Sequence, residues 1–239
     1  MIEIVNGIII ITLIIIVYKY FERMSYDVVM VKSNVNGKEY LVRNLEDRQQ
    51  ASDLMGSVEV KLRKLVEIIE TMGYEEIYSK YMQSDVIKET SGGGISKKDL
   101  IDGQNEEGSR EQKNLEHKIK MKLKGDIERL VKNFSATQFS ENSPDSIHTS
   151  YTINKQNMVF CIRDKKKNEP LVKENIFLYV GIHELSHTAC AEIGHTFSFW
   201  EIFRIFLRVA IDNGIYKNID FNSSPQEYCG INISDNPLK

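Results

Sequence analysis

The chain has 239 residues, enough beyond its apolar N-terminus for one domain of ordinary size with a small N-terminal lobe. A formal net charge of -3, with no dense basic stripe interleaved with aromatics, excludes the electrostatic footprint of a nucleic-acid binder. The lysines of 118–124 and 165–167 read as solvated faces or loops, so no nucleic acid is expected among the partners.

The first element is an almost continuously apolar run, 4–18, broken only by Asn6, Gly7 and Thr12. With Tyr20 and Phe21 it reaches the low end of the ~17 to 25 residues that span a bilayer, so residues 1–21 are expected to form a transmembrane anchor. A cleaved signal peptide wants a basic start and small residues at a cleavage site, whereas this chain begins Met1-Ile2-Glu3 and continues past the run with Lys19 and Arg23. The same charges place the N-terminus outside and the rest of the chain in the cytoplasm, as a single-pass membrane protein. Cys161, Cys190 and Cys229, odd in number and without a paired framework, fit a reducing compartment. The sequons at Asn133, Asn222 and Asn232 offer a direct test of that topology.

Residues 22–83 are expected to form a hairpin and a helix. Asp27 to Lys32 and Glu39 to Arg43 are rich in β-branched residues on either side of Asn36-Gly37, the pattern of a hairpin. Beyond Asn44, Ala51, Leu54, Met55, Val58, Leu62, Leu65, Val66 and Ile69 recur at helical spacing, and Gly73 suits the end of that helix. Residues 84–114, with Gly92-Gly93-Gly94 and many charges, bury too little apolar surface to offset their ordering entropy and read as a flexible insertion.

The remaining 115–239 form the expected zinc-binding catalytic region. A helix carries Ile119, Leu123, Ile127, Leu130, Val131 and Phe134 on one face. Tyr151 to Ile153 and Met158 to Arg163 have strand composition, and Phe160 to Arg163 are expected either to flank a cleft in which an extended substrate adds as a strand or to form an interior strand without substrate contact. The apolar run 176–182 then continues in phase into Leu185, as a buried helix requires, and Phe197 to Ile211 reads as a second core helix packed on it. His117 and His148 stand apart and read as surface or loop residues.

The helix after that apolar run holds His183-Glu184-Leu185-Ser186-His187, the HExxH pattern. Residues four apart project from one helix face, so His183 and His187 can grip one metal ion while Glu184 stands beside its open position. Catalytic zinc takes three protein ligands. His195 is the expected third, because Gly194 can adopt a left-handed conformation that ends the helix and returns the chain towards the metal. Glu201, reached if the next helix folds back, is the runner-up; Cys190 lies too far along the axis, about 10 Å from His183, and Glu192 projects elsewhere. Zn2+ in such a site lowers the pKa of water to about 7, with Glu184 as the general base and the proton passing to a leaving amine. Tyr228 is a candidate donor to the developing oxyanion, or a packed tyrosine of the C-terminal segment.

The stretch Gly181 to His187, followed by Gly194-His195-Thr196 and Phe199-Trp200, resembles the WLM and SprT-like zinc metalloproteases. Ser150 to Lys155, Cys161-Ile162-Arg163, Tyr228-Cys229-Gly230 and Asn236-Pro237-Leu238 are similar to membrane-anchored members in large DNA viruses and algae. The resemblance implies a zincin-like α+β fold, a small antiparallel or mixed sheet packed on an active-site helix, here behind an N-terminal transmembrane helix in a host or virion membrane. His195 follows His187 by eight positions, where the metzincin pattern has six. The expected activity is a membrane-anchored zinc metallopeptidase acting on a protein or peptide substrate. The alternatives are a non-catalytic membrane or virion structural protein that keeps the fold, and a zinc hydrolase of non-peptide amides.

Overall fold

Strand β1 (Val28–Lys32) pairs antiparallel with β2 (Glu39–Arg43), and on β2 the alternate residues Tyr40 and Val42 turn inward. The hairpin expected around Asn36-Gly37 therefore forms, closed by Ser33 N–H donating to Lys38 O at 2.8 Å, with Gly37 at φ +73°. The structure, a computed structural model, describes residues 10–15, 17, 27–82, 106–154, 157–164, 168–235 and 237–238.

Helix α1 (Arg48–Ile77) buries Ala51, Met55, Val58, Leu62, Leu65, Val66 and Ile69, as their spacing predicts. Gly73 (φ 67°, ψ 171°) breaks it without ending it: the chain resumes as a helix to Ile77 and passes into a π-turn, Tyr78–Met82. Helix α2 (Glu106–Phe134) buries Leu123, Ile127, Leu130 and Phe134. It begins within the expected insertion, so residues 106–114 are helical, while 84–105 lie outside the described residues.

Strands β3 (Gln138–Glu141), β4 (Ser150–Ile153) and β5 (Asn157–Phe160) complete a five-stranded mixed sheet in the order β1-β2-β3-β5-β4. The outer pairs β1/β2 and β4/β5 are antiparallel, and the inner pairs β2/β3 and β3/β5 are parallel. Strand β4 is thus an edge. Glu141 of β3 ties β2 to the segment just past β5, accepting from the backbone N–H of Arg43 at 2.7 Å and from Nε of Arg163 at 2.8 Å. Arg163, 4% exposed, also reaches Asp47 Oδ2 at 2.5 Å, so two carboxylates offset one buried guanidinium.

Helix α3 (Glu174–Ala189) lies at the centre, in contact with α1, α2, β4 and the last long helix, α4 (Phe197–Asp212). Its ring at Phe177 meets Phe160 of β5 at 4.9 Å between centroids. Gly181 makes the approach to α1 possible, because a Cβ there would stand 2.8 Å from Leu62 Cδ1. A small hairpin of β6 (Gln226–Tyr228) and β7 (Ile231–Ile233) closes the chain. The architecture is α+β with a mixed sheet.

Two expectations are corrected. Of the N-terminal segment only 10–15 and 17 are described, as helix, and no helix among the described residues is long and apolar enough to cross a membrane. A span needs about 20 consecutive helical apolar residues, so the transmembrane helix, and the single-pass topology with a cytoplasmic catalytic region that rested on it, are not supported; the rest of that segment lies outside the described residues. Nor are Cys161 and Cys229 without a framework: 68 positions apart, they form a disulfide across a Cα–Cα distance of 6.2 Å. Tertiary folding brings the end of β5 to the C-terminal hairpin, a meeting that spacing along the chain conceals. Cys190 is buried in the core.

Candidate metal centre and its cleft

Most of α3 is enclosed, with Ile176, Phe177, Leu178, Ile182 and Leu185 buried, which accounts for its apolar character all round. The face left open carries Val180, His183, Glu184 and His187. The helix ends at Ala189, earlier than expected, with Cys190 extended (φ -63°, ψ 134°). Gly194 then takes φ +83° and turns the chain so that His195 comes back over the helix. Arg129 Nε donates to Ala189 O at 2.9 Å and Asn133 Nδ2 to Thr188 O at 3.3 Å, so α2 satisfies carbonyls that the end of α3 leaves open. Ser198 Oγ holds the loop by donating to Glu192 at 2.8 Å, and the Thr196 side chain caps α4.

His195 Nε2 stands 3.0 Å from His183 Nε2 and 3.2 Å from His187 Nε2, and the three ligand atoms lie within 4.8 Å of one another. Four ligands placed tetrahedrally at the usual zinc–nitrogen distance of about 2.0 to 2.1 Å sit about 3.3 Å apart. The nitrogens therefore converge at nearly the spacing that one ion imposes, and no carboxylate or thiol among the described residues joins the cluster. Phe199 supports all three rings, stacked on His187 at 4.2 Å and edge-on to His183 and His195 at 4.8 Å each. Burial first, then the neighbouring His187 and His195, push His183 down to about 3, which keeps it neutral with a lone pair to offer. The donor set fits Zn2+.

Glu184 is 4% exposed, and its desolvation pushes the carboxyl up to about 7 against a hydrogen bond from Thr152 Oγ1 to Oε2 at 2.7 Å. A base that titrates near neutrality is matched to taking and returning a proton at physiological pH. Glu201 is not part of the cluster; it accepts from Lys122 Nζ at 3.3 Å. His117 and His148 also stand outside it.

The histidines and Glu184 open onto a cleft of about 710 Å³. Its lining comes from the edge strand β4 with its flanks, Thr149 to Thr152 and Asn154, from the loop 192–195, from Trp200 and from the C-terminal hairpin, Ile231 to Asp235. Of the two expectations for Phe160 to Arg163, the interior strand holds and the cleft flank is corrected: Phe160 and Ile162 are fully buried, because β5 is interior and β4 lies outside it. Tyr228 is buried too. Its hydroxyl donates to Cys161 O at 2.6 Å and lies 2.8 Å from Ser150 Oγ, so its proton is engaged and it fastens the hairpin to the start of β4. Thr152 and the hairpin wall are not evident in the sequence. Both reach the site through pairings distant along the chain, and strand composition at 151–153 is their only trace.

Comparison with known proteins returns relatives without a described activity. The chain is 26% identical over 237 residues, 99% of itself and 98% of the relative, to an uncharacterised protein of Acanthamoeba polyphaga mimivirus. It is 40% identical over 68 residues to an uncharacterised protein of Invertebrate iridescent virus 6, covering 28% of this chain and 38% of the relative. A similar match, 40% over 67 residues, covers 28% of this chain and 42% of an uncharacterised protein of Invertebrate iridescent virus 3. No protein-family model matches, so the resemblance to WLM and SprT-like proteases gains no support there. No solved structure matches either.

Proposed function

We propose that the chain is a zinc-dependent metallopeptidase in which His183, His187 and His195 hold the metal and Glu184 is the general base. The observation that carries this reading is the convergence of three imidazole Nε2 atoms within 4.8 Å beside a buried carboxyl pushed up to about 7. Zinc, when bound, supplies Lewis acidity that polarises a carbonyl and makes water acidic enough to ionise near neutrality. Glu184 accepts the proton of the attacking water on one carboxyl oxygen while Thr152 holds the other, and delivers it to the departing amine nitrogen. Phe199 fixes the imidazoles against rotation. The outer edge of β4, without a strand partner among the described residues, presents backbone groups along which an extended peptide can lie, and main-chain pairing of that kind supplies affinity without demanding a sequence.

The test is bound metal per protein by elemental mass spectrometry on wild type, His187→Ala and His195→Ala, followed by peptide cleavage with Glu184→Gln as control. One zinc in wild type, lost or much weakened in both variants, with cleavage abolished in Glu184→Gln, is the expected result. Correctly folded wild type without metal refutes it. Zinc without cleavage of peptides moves the reading to a small-amide hydrolase or a non-catalytic zinc protein, which a panel of non-peptide amides separates.

A further inference from the structure

The cleft has an unusual lining for a polar reaction. Ile193, 95% exposed, sits on the loop between His187 and His195. Ile231, 48% exposed, and Ile233, two apart on β7, line the same cleft. Trp200 and Val180 complete the apolar surface next to the histidines. Ile193 and Ile231 are the exposed members of this set, and apolar side chains open to water in a concave site gain by being covered.

Charge narrows what can cover them. Apart from the histidines and Glu184, the acidic or basic side chains lining the cleft among the described residues are Glu192 and Asp235, both carboxylates at its rim. Glu192 is tied to Ser198. Beyond the metal itself, an acidic substrate side chain would meet no lysine or arginine among the described lining residues, and two like charges.

We propose, resting on the metallopeptidase reading, that the cleft selects extended peptides carrying bulky apolar side chains next to the scissile bond and rejects acidic ones, with Ile193, Ile231 and Trp200 as specificity-determining residues. Ile193 covers the substrate from the side of the metal-holding loop, and Ile231 from the hairpin that the Cys161–Cys229 disulfide anchors.

Trp200 is the single tryptophan of the chain, so its emission reports occupancy of the cleft directly and without turnover. The full-length Glu184→Gln protein is titrated with a soluble peptide bearing two adjacent leucines between serines and glycines, and with counterparts in which glutamate or lysine replaces the leucines. Trp200 emission and calorimetry are read together. The leucine peptide is expected to bind about tenfold or more tightly than the glutamate peptide. Ile193→Ser and Ile231→Ser, both at exposed positions, are expected to weaken it several-fold with the circular dichroism and metal content of the parent. Equal binding of the glutamate peptide, tighter binding of the lysine peptide, or neither emission change nor heat with the leucine peptide overturns the proposal. Failure of the metallopeptidase reading is seen separately: wild type would bind the leucine peptide with this preference and leave it uncut.

Discussion

Replacing Glu184 by Gln is expected to stabilise the metal-free protein at neutral and alkaline pH while it removes the proposed base. The carboxyl is 4% exposed, and burial raises it from 4.5 to about 7. A carboxyl raised in this way holds its proton more tightly in the folded chain than in the unfolded one. The advantage is complete below pH 4.5, is lost as pH rises towards about 7, and leaves a constant penalty above. At about 1.4 kcal/mol per pKa unit the interval amounts to about 3 kcal/mol. Gln keeps an acceptor for Thr152 Oγ1, but its buried amide N–H groups forfeit water at roughly 1 kcal/mol, leaving a net gain of about 2 kcal/mol. His183, lowered to about 3, has the opposite dependence, gaining stability as pH rises from about 3 to 6.5, and it cancels because both proteins contain it. Urea unfolding of chelator-treated wild type and Glu184→Gln, followed by circular dichroism at pH 5 and pH 8, measures the difference. It should be small at pH 5 and grow to about 2 kcal/mol at pH 8, and added zinc should narrow it, since a cation favours the carboxylate. Equal stability at pH 8 would show that Glu184 is solvated in the folded chain and refute the argument.

Removing the Thr152 hydroxyl in Thr152→Val is expected to lower kcat about tenfold with bound zinc unchanged, and Thr152→Ser should restore it; an undiminished kcat in the valine variant would show that Glu184 needs no such support. Opening the 68-position disulfide loop in Cys161→Ser should cost about 4 kcal/mol by chain entropy, read as a lower urea midpoint that reductant no longer shifts. Arg163→Met strips a cation from Glu141, itself 2% exposed in its side chain, and is expected to cost about 3 to 5 kcal/mol in chemical unfolding. The double change with Glu141→Leu should recover much of that loss, and a double variant as weak as the single one would place the effect elsewhere.

Local chemistry is legible in the sequence. The hairpin around Asn36-Gly37, the apolar stripe of α1 and the left-handed turn at Gly194 follow from spacing and conformational preference within a few residues, and the structure contains all three. What depends on distant partners is not. The parallel pairing of β2 with β3 and β3 with β5 leaves no mark in either strand, so composition points to 160–163 as the strand beside the cleft when it is β4. Cys161 and Cys229 offer no pairing signal across 68 positions. The N-terminal run carries a composition that helices and bilayers both accept, and composition alone cannot choose between them.

The three imidazoles belong to one contiguous stretch, twelve positions from first to last, whereas Thr152 meets Glu184 from 32 positions upstream and the hairpin wall arrives from the far end of the chain. On the proposed reading, the residues that would capture an ion and those that would support its use thus have separate addresses in the gene. On that reading, lesions confined to the remote address would spare the histidine cluster, so such a chain could lose the proposed chemistry while every histidine persists.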